Sequence, residues 1–75
     1  MTDTDPRWPR GLSRDEAARY VGIGTTLFDA MVLDGRMPKP RLINSRTVWD
    51  RQELDEAFSE LPHRGAEPAK VFALL

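Results

Sequence analysis

The sequence predicts a mainly α domain with a small β-hairpin. Three observations carry that expectation: two short helical apolar periods separated by a glycine-containing turn, two β-prone runs joined by turn residues, and a third helical stripe after them. At 75 residues with 40% hydrophobic side chains, the chain has room for one small core. It contains no Cys, so that core must hold without a disulfide or a thiolate metal site.

Residues 1–11 hold Pro6 and Pro9 and no apolar period, which predicts an extended N-terminal arm. Trp8 is its exception, because its large apolar area favours packing over the core. The domain itself is expected over residues 12–61. Ser13-Arg-Asp-Glu16 is a capping box, in which the Ser13 hydroxyl accepts from the Glu16 amide and the Glu16 carboxylate from that of Ser13, so a helix should start at Arg14. Ala17, Ala18, Tyr20 and Val21 make its apolar side, and Gly22 supplies the left-handed residue that ends it. Phe28, Met31 and Val32 then recur at helical spacing until Gly35, with only Gly22-Ile-Gly24 between the two periods. Two short helices joined by so tight a turn form a helix-turn-helix.

Pro38 and Pro40 bar a helix and hold Arg36-Met-Pro-Lys-Pro40 extended. Arg41–Ile43 and Thr47–Trp49 read as strands joined across Asn44-Ser45-Arg46. Asp50 is placed to cap a third helix with Glu53 at the capping-box position; Leu54, Ala57, Phe58 and Leu61 give its stripe, and Pro62 stops it. Trp49 and Phe58 are expected in the core. Residues 62–75 read as a flexible tail whose apolar end, Val71–Leu75, docks on the core or meets another chain.

Twelve acids against 11 Lys and Arg give a net charge of -1, which excludes binding through a bulk positive field. Resolved along the chain, residues 36–50 carry +3, from Arg36, Lys39, Arg41 and Arg46 less Asp50, whereas residues 51–61 carry -3. Phosphate contact needs only a few aimed cations, and acids can face away from a duplex. The first ten residues have no apolar run suited to a signal peptide, and no stretch approaches a membrane span. A soluble, cytoplasmic protein without membrane contact is therefore expected.

The residues Ala17-Ala-Arg-Tyr-Val-Gly-Ile23, Asp34-Gly-Arg-Met-Pro-Lys-Pro40 and Arg46-Thr-Val-Trp-Asp50 carry a family likeness. The stretch from Leu12 to Phe58 resembles the AlpA and excisionase group of small MerR-like winged-helix DNA-binding proteins. The resemblance implies a winged helix-turn-helix whose second helix enters the major groove and whose hairpin wing reaches the backbone or minor groove. It also implies an excisionase-type factor, bacterial or phage-borne, that binds and bends double-stranded DNA at a prophage or mobile-element attachment site. Its partners would be an integrase and further copies of itself, bound head to tail. A promoter-binding regulator of AlpA type is the alternative; a protein-interaction adaptor without DNA binding is a third. Three positions depart from the group's pattern: Gly24 replaces a Ser or Thr cap, and Asp29 and Ala30 stand where Tyr and Arg are common.

If Phe28, Met31 and Val32 face the core, Thr25, Thr26, Asp29, Ala30 and Leu33 lie on the recognition side. Thr25 and Thr26 suit phosphate or base contact at the helix start, or plain capping. Asp29 can accept from cytosine N4, pair with an arginine or merely face water. Ala30 and Leu33 can touch thymine methyls, or Leu33 can be an ordinary exposed leucine. Arg36, Lys39 and Arg41 read as phosphate contacts, with pairing to Asp34 or the acidic third helix as the alternative. Arg46, beside Asn44 and Ser45 at the hairpin tip, reads as a phosphate or minor-groove contact. His63 lacks metal-site company, Ser13, Ser45 and Ser59 lack a base, and no glycine-rich phosphate loop occurs. Neither an enzyme nor a cofactor is expected.

Overall fold

The computed structural model describes residues 8–65. In chain order the elements are β1 (Gly11–Leu12), α1 (Arg14–Tyr20), α2 (Thr25–Leu33), β2 (Arg41–Ile43), β3 (Arg46–Asp50) and α3 (Arg51–Ser59). Three helices thus accompany a three-stranded antiparallel sheet in the order β1-β3-β2, a mixed α/β architecture. No helix among the described residues is long and apolar enough to cross a membrane.

The local signals place α1 and α2 where they were expected. Both halves of the Ser13 capping box form, with the Glu16 amide donating to Ser13 Oγ at 3.2 Å and the Ser13 amide to Glu16 Oε1 at 2.9 Å. Gly22, at φ 88°, lets the chain leave α1, and the Ile23 amide then returns to the Ala18 carbonyl at 3.0 Å. Gly35, at φ 92°, does the same after α2: the Met37 amide reaches back to the Met31 carbonyl at 3.0 Å, and both methionines are buried. A side chain at either glycine would meet open space, so the backbone angle, and not crowding, is what calls for Gly there.

The core is Leu12, Ala17, Ala18, Phe28, Met31, Met37, Trp49 and Leu54. Phe28 and Trp49 meet edge to face with ring centroids 5.3 Å apart. The buried Trp49 indole donates Nε1–H to the Pro38 carbonyl at 2.8 Å, so its polar atom is satisfied and the proline segment is tied to β3. Trp8 packs against this core as expected, edge-on to Tyr20 at 5.3 Å with the Arg19 guanidinium 5.9 Å from its ring centre.

Four expectations need correction. The arm ends sooner than residue 11: Gly11 and Leu12 pair with Asp50 and Trp49 as β1, the Arg51 amide donates to the Arg10 carbonyl at 2.8 Å, and Arg51 Nη1 donates to the Trp8 carbonyl at 2.8 Å. The hairpin loop is Asn44-Ser45 alone, because Ile43 pairs with Arg46; Asn44 takes φ 56°, a left-handed angle that Asn tolerates. Arg46 is therefore the first residue of β3. Asp50 caps α3 by accepting from the Gln52 amide at 3.0 Å, but Glu53 turns to Arg41, so no capping box closes. Phe58 is 54% exposed: Ala57 and Leu61 beside it pack against the core, while Phe58 lies at the margin of that stripe and only borders a shallow groove with Tyr20 and Val21. The tail's apolar end, Val71–Leu75, lies outside the described residues.

Candidate nucleic-acid interface

The burial of Phe28 and Met31 turns the opposite side of α2 outward, and Thr26, Asp29, Ala30 and Leu33 are exposed there. Leu33 is 89% exposed. Thr25 is only half-exposed, nearer the core than its predicted partners. The helix is capped by the Gly24 backbone without a side-chain bond, so neither Thr25 nor Thr26 serves as the N-cap. Two hydroxyls thus stand in the first turn, where free amides and the helix dipole favour an anion.

Asp29 is engaged by a residue that spacing did not bring forward. Arg14, from the start of α1, donates Nε–H and Nη2–H to its two carboxylate oxygens at 2.8 and 2.6 Å. These hydrogen bonds hold the Asp29 carboxyl below the ordinary carboxylate range. Fifteen residues and a turn separate the two, so no helical spacing could have announced the pair.

The predicted cations of the hairpin and its approach divide into two groups. Arg36 folds back on Asp34, its Nε 2.9 Å from one carboxylate oxygen and its backbone amide 3.0 Å from the other, and together these lower the Asp34 pKa. Arg41 donates Nη2–H to Glu53 at the head of α3 and stands with Nε 4.0 Å from Asp50. Both are the acid pairings that the sequence reading held as alternatives to phosphate contact. Lys39 and Arg46 are exposed and have no acidic partner among the described residues. Asn44 and Ser45 are exposed beside Arg46 at the tip.

Two further side chains at the hairpin escaped the sequence reading. Leu42 is 72% and Ile43 59% exposed, since β2 is an edge strand and no described element covers either of its faces. At the other end of the sheet, Arg10 joins β1 to the α3 cap, with Nε and Nη2 at 2.8 and 3.2 Å from the Asp50 carboxylate oxygens. The Arg10 hydrogen bond is the main cause of a lowered Asp50 pKa, with the Gln52 amide adding to it against the opposing effect of burial.

No protein-family model, curated protein or solved structure matches the chain. The likeness to the AlpA and excisionase group thus rests on the quoted residues alone.

Proposed function

We propose that this protein is a winged helix-turn-helix module that binds double-stranded DNA, with α2 in the major groove and the β2–β3 hairpin as its wing. The observation that carries the reading is the exposed, acid-free pair of cations on the hairpin and its approach, Arg46 and Lys39, on the same domain as the first-turn hydroxyls of α2. Phosphates and base edges call for such groups, and the acids of α3 are partly neutralised by Arg41. The finer reading, from the family likeness, is an excisionase-type factor that occupies adjacent sites and bends the DNA for an integrase.

A second reading, an adaptor without DNA contact, draws support from the acid pairing of Arg10, Arg14, Arg36 and Arg41 and from the exposed Leu33, Leu42 and Ile43. Gel-shift titration against salt, on duplexes from the protein's own locus, separates the two. DNA binding predicts an affinity that falls steeply with salt, by a log–log slope of about -0.9 for each phosphate neutralised. No shift on any duplex at low salt would sink the DNA reading. Footprinting the same locus distinguishes the excisionase, which protects adjoining sites at an attachment site, from a regulator confined to a promoter.

A further inference from the structure

Arg14 opens α1 and Asp29 sits mid-way along α2, so their pair bridges the two helices of the helix-turn-helix. The geometry of the contact matters more than its charge. Nε and Nη2 are the two donors committed to the Asp29 carboxylate, at 2.8 and 2.6 Å, which is a side-on grip of the guanidinium. A guanidinium has five N–H donors in one plane, and this grip uses two of them. One Nη1 hydrogen and the second Nη2 hydrogen form the end-on fork. Two parallel donors of that kind match guanine O6 and N7 in the major groove.

The carboxylate also changes what the arginine costs to order. An unrestrained Arg on a surface gives up several rotamers when it binds, whereas one already held along one edge gives up fewer. Both side chains are half-exposed, so the pair adds little to folding stability, and stability alone is a weak reason for it. Pairing also offsets the Asp29 charge, which would otherwise repel phosphates from the outward face of α2.

We propose that Arg14 is a guanine-reading residue and that Asp29 is its positioning residue. The assignment rests on the DNA-binding reading above and replaces the direct cytosine contact that the sequence suggested for Asp29. It makes α1, and not only α2, a source of sequence discrimination.

The test is selection from a randomised double-stranded DNA pool, comparing the wild type with Arg14→Lys, Arg14→Ala and Asp29→Asn, with thermal melting by circular dichroism to verify that each variant folds. The wild type should enrich a motif with a preferred guanine. Arg14→Lys keeps the charge but loses the fork, and Arg14→Ala loses both, so each should reduce preference for that guanine by about 5- to 150-fold. Asp29→Asn should weaken the same preference while overall duplex affinity holds or rises, since a negative charge has been removed. A loss spread evenly over all sequences in Arg14→Ala, with the guanine preference intact in Arg14→Lys and Asp29→Asn, would make Arg14 a phosphate contact and overturn the proposal. Salt-dependent duplex binding by the wild type without any enriched guanine would also overturn it while leaving the DNA reading in place. Absence of duplex binding at low salt would remove that reading itself.

Discussion

At its C-terminal end β3 buries Trp49 and Asp50, whereas at its N-terminal end Arg46 and Thr47 are exposed on a hairpin that no described element covers. The two halves also have different partners. β1 pairs with Trp49 and Asp50, and β2 pairs with Arg46, Thr47 and Val48. One end is therefore gripped by β1, by Arg10 and by the α3 cap, while the other is held by a single edge strand and a two-residue loop. The contrast teaches that one five-residue strand can divide its labour: packing is concentrated at one end, which leaves the side chains of the other free to meet a ligand.

Substitutions at the packed end should show the largest effects. Trp49→Ala removes a core ring that meets Phe28 and leaves the Pro38 carbonyl without its donor, and should cost about 3–5 kcal/mol in urea unfolding. A loss below about 1 kcal/mol would mean that this end does not hold the fold. Asp50→Ala comes next, at about 1–2 kcal/mol, for the lost helix cap. Because Arg10 and the Gln52 amide lower the folded pKa of Asp50, its contribution is complete above the ordinary carboxylate value of about 3.9 and is lost as pH falls through the lower folded value. Asp50→Asn should accordingly flatten part of the acid limb of stability against pH; an unchanged acid limb would break the assignment. Replacing Leu42 and Ile43 with Ser at the free end should shift stability by no more than about 0.5 kcal/mol for each, and a larger loss would show that the hairpin is covered in solution.

The sequence made the helices legible because their signals are local. Ser13 and Glu16 are three residues apart, Gly22 and Gly35 mark backbone angles that side chains resist, and Phe28 and Met31 share one face. β1 was not legible, because two residues carry no period and Gly11 and Leu12 become a strand only when Trp49 and Asp50 arrive beside them. Phe58 misled for a related reason: its helical spacing is right, but spacing does not say how wide a stripe a small core covers, and Ala57 and Leu61 pack against it where Phe58 does not. At the candidate interface, the residue types of the hairpin were readable, and their partners were not. Arg14 and Asp29 stand 15 residues apart, and Arg10 and Asp50 stand 40 apart, so only the folded chain sorts the engaged arginines from the acid-free Lys39 and Arg46.

The division of β3 into a packed end and a proposed binding end is tested most directly by comparing Arg10→Ala with Arg46→Ala in two assays, thermal melting and the salt dependence of duplex binding. Arg46→Ala should melt like the wild type yet lower the magnitude of the log–log salt slope by about 1, as expected for one lost phosphate contact. Arg10→Ala should melt earlier, because the Asp50 carboxylate loses its main partner, and should keep the wild-type slope. An Arg46→Ala slope equal to that of the wild type, or an Arg10→Ala slope reduced as much, would contradict the account.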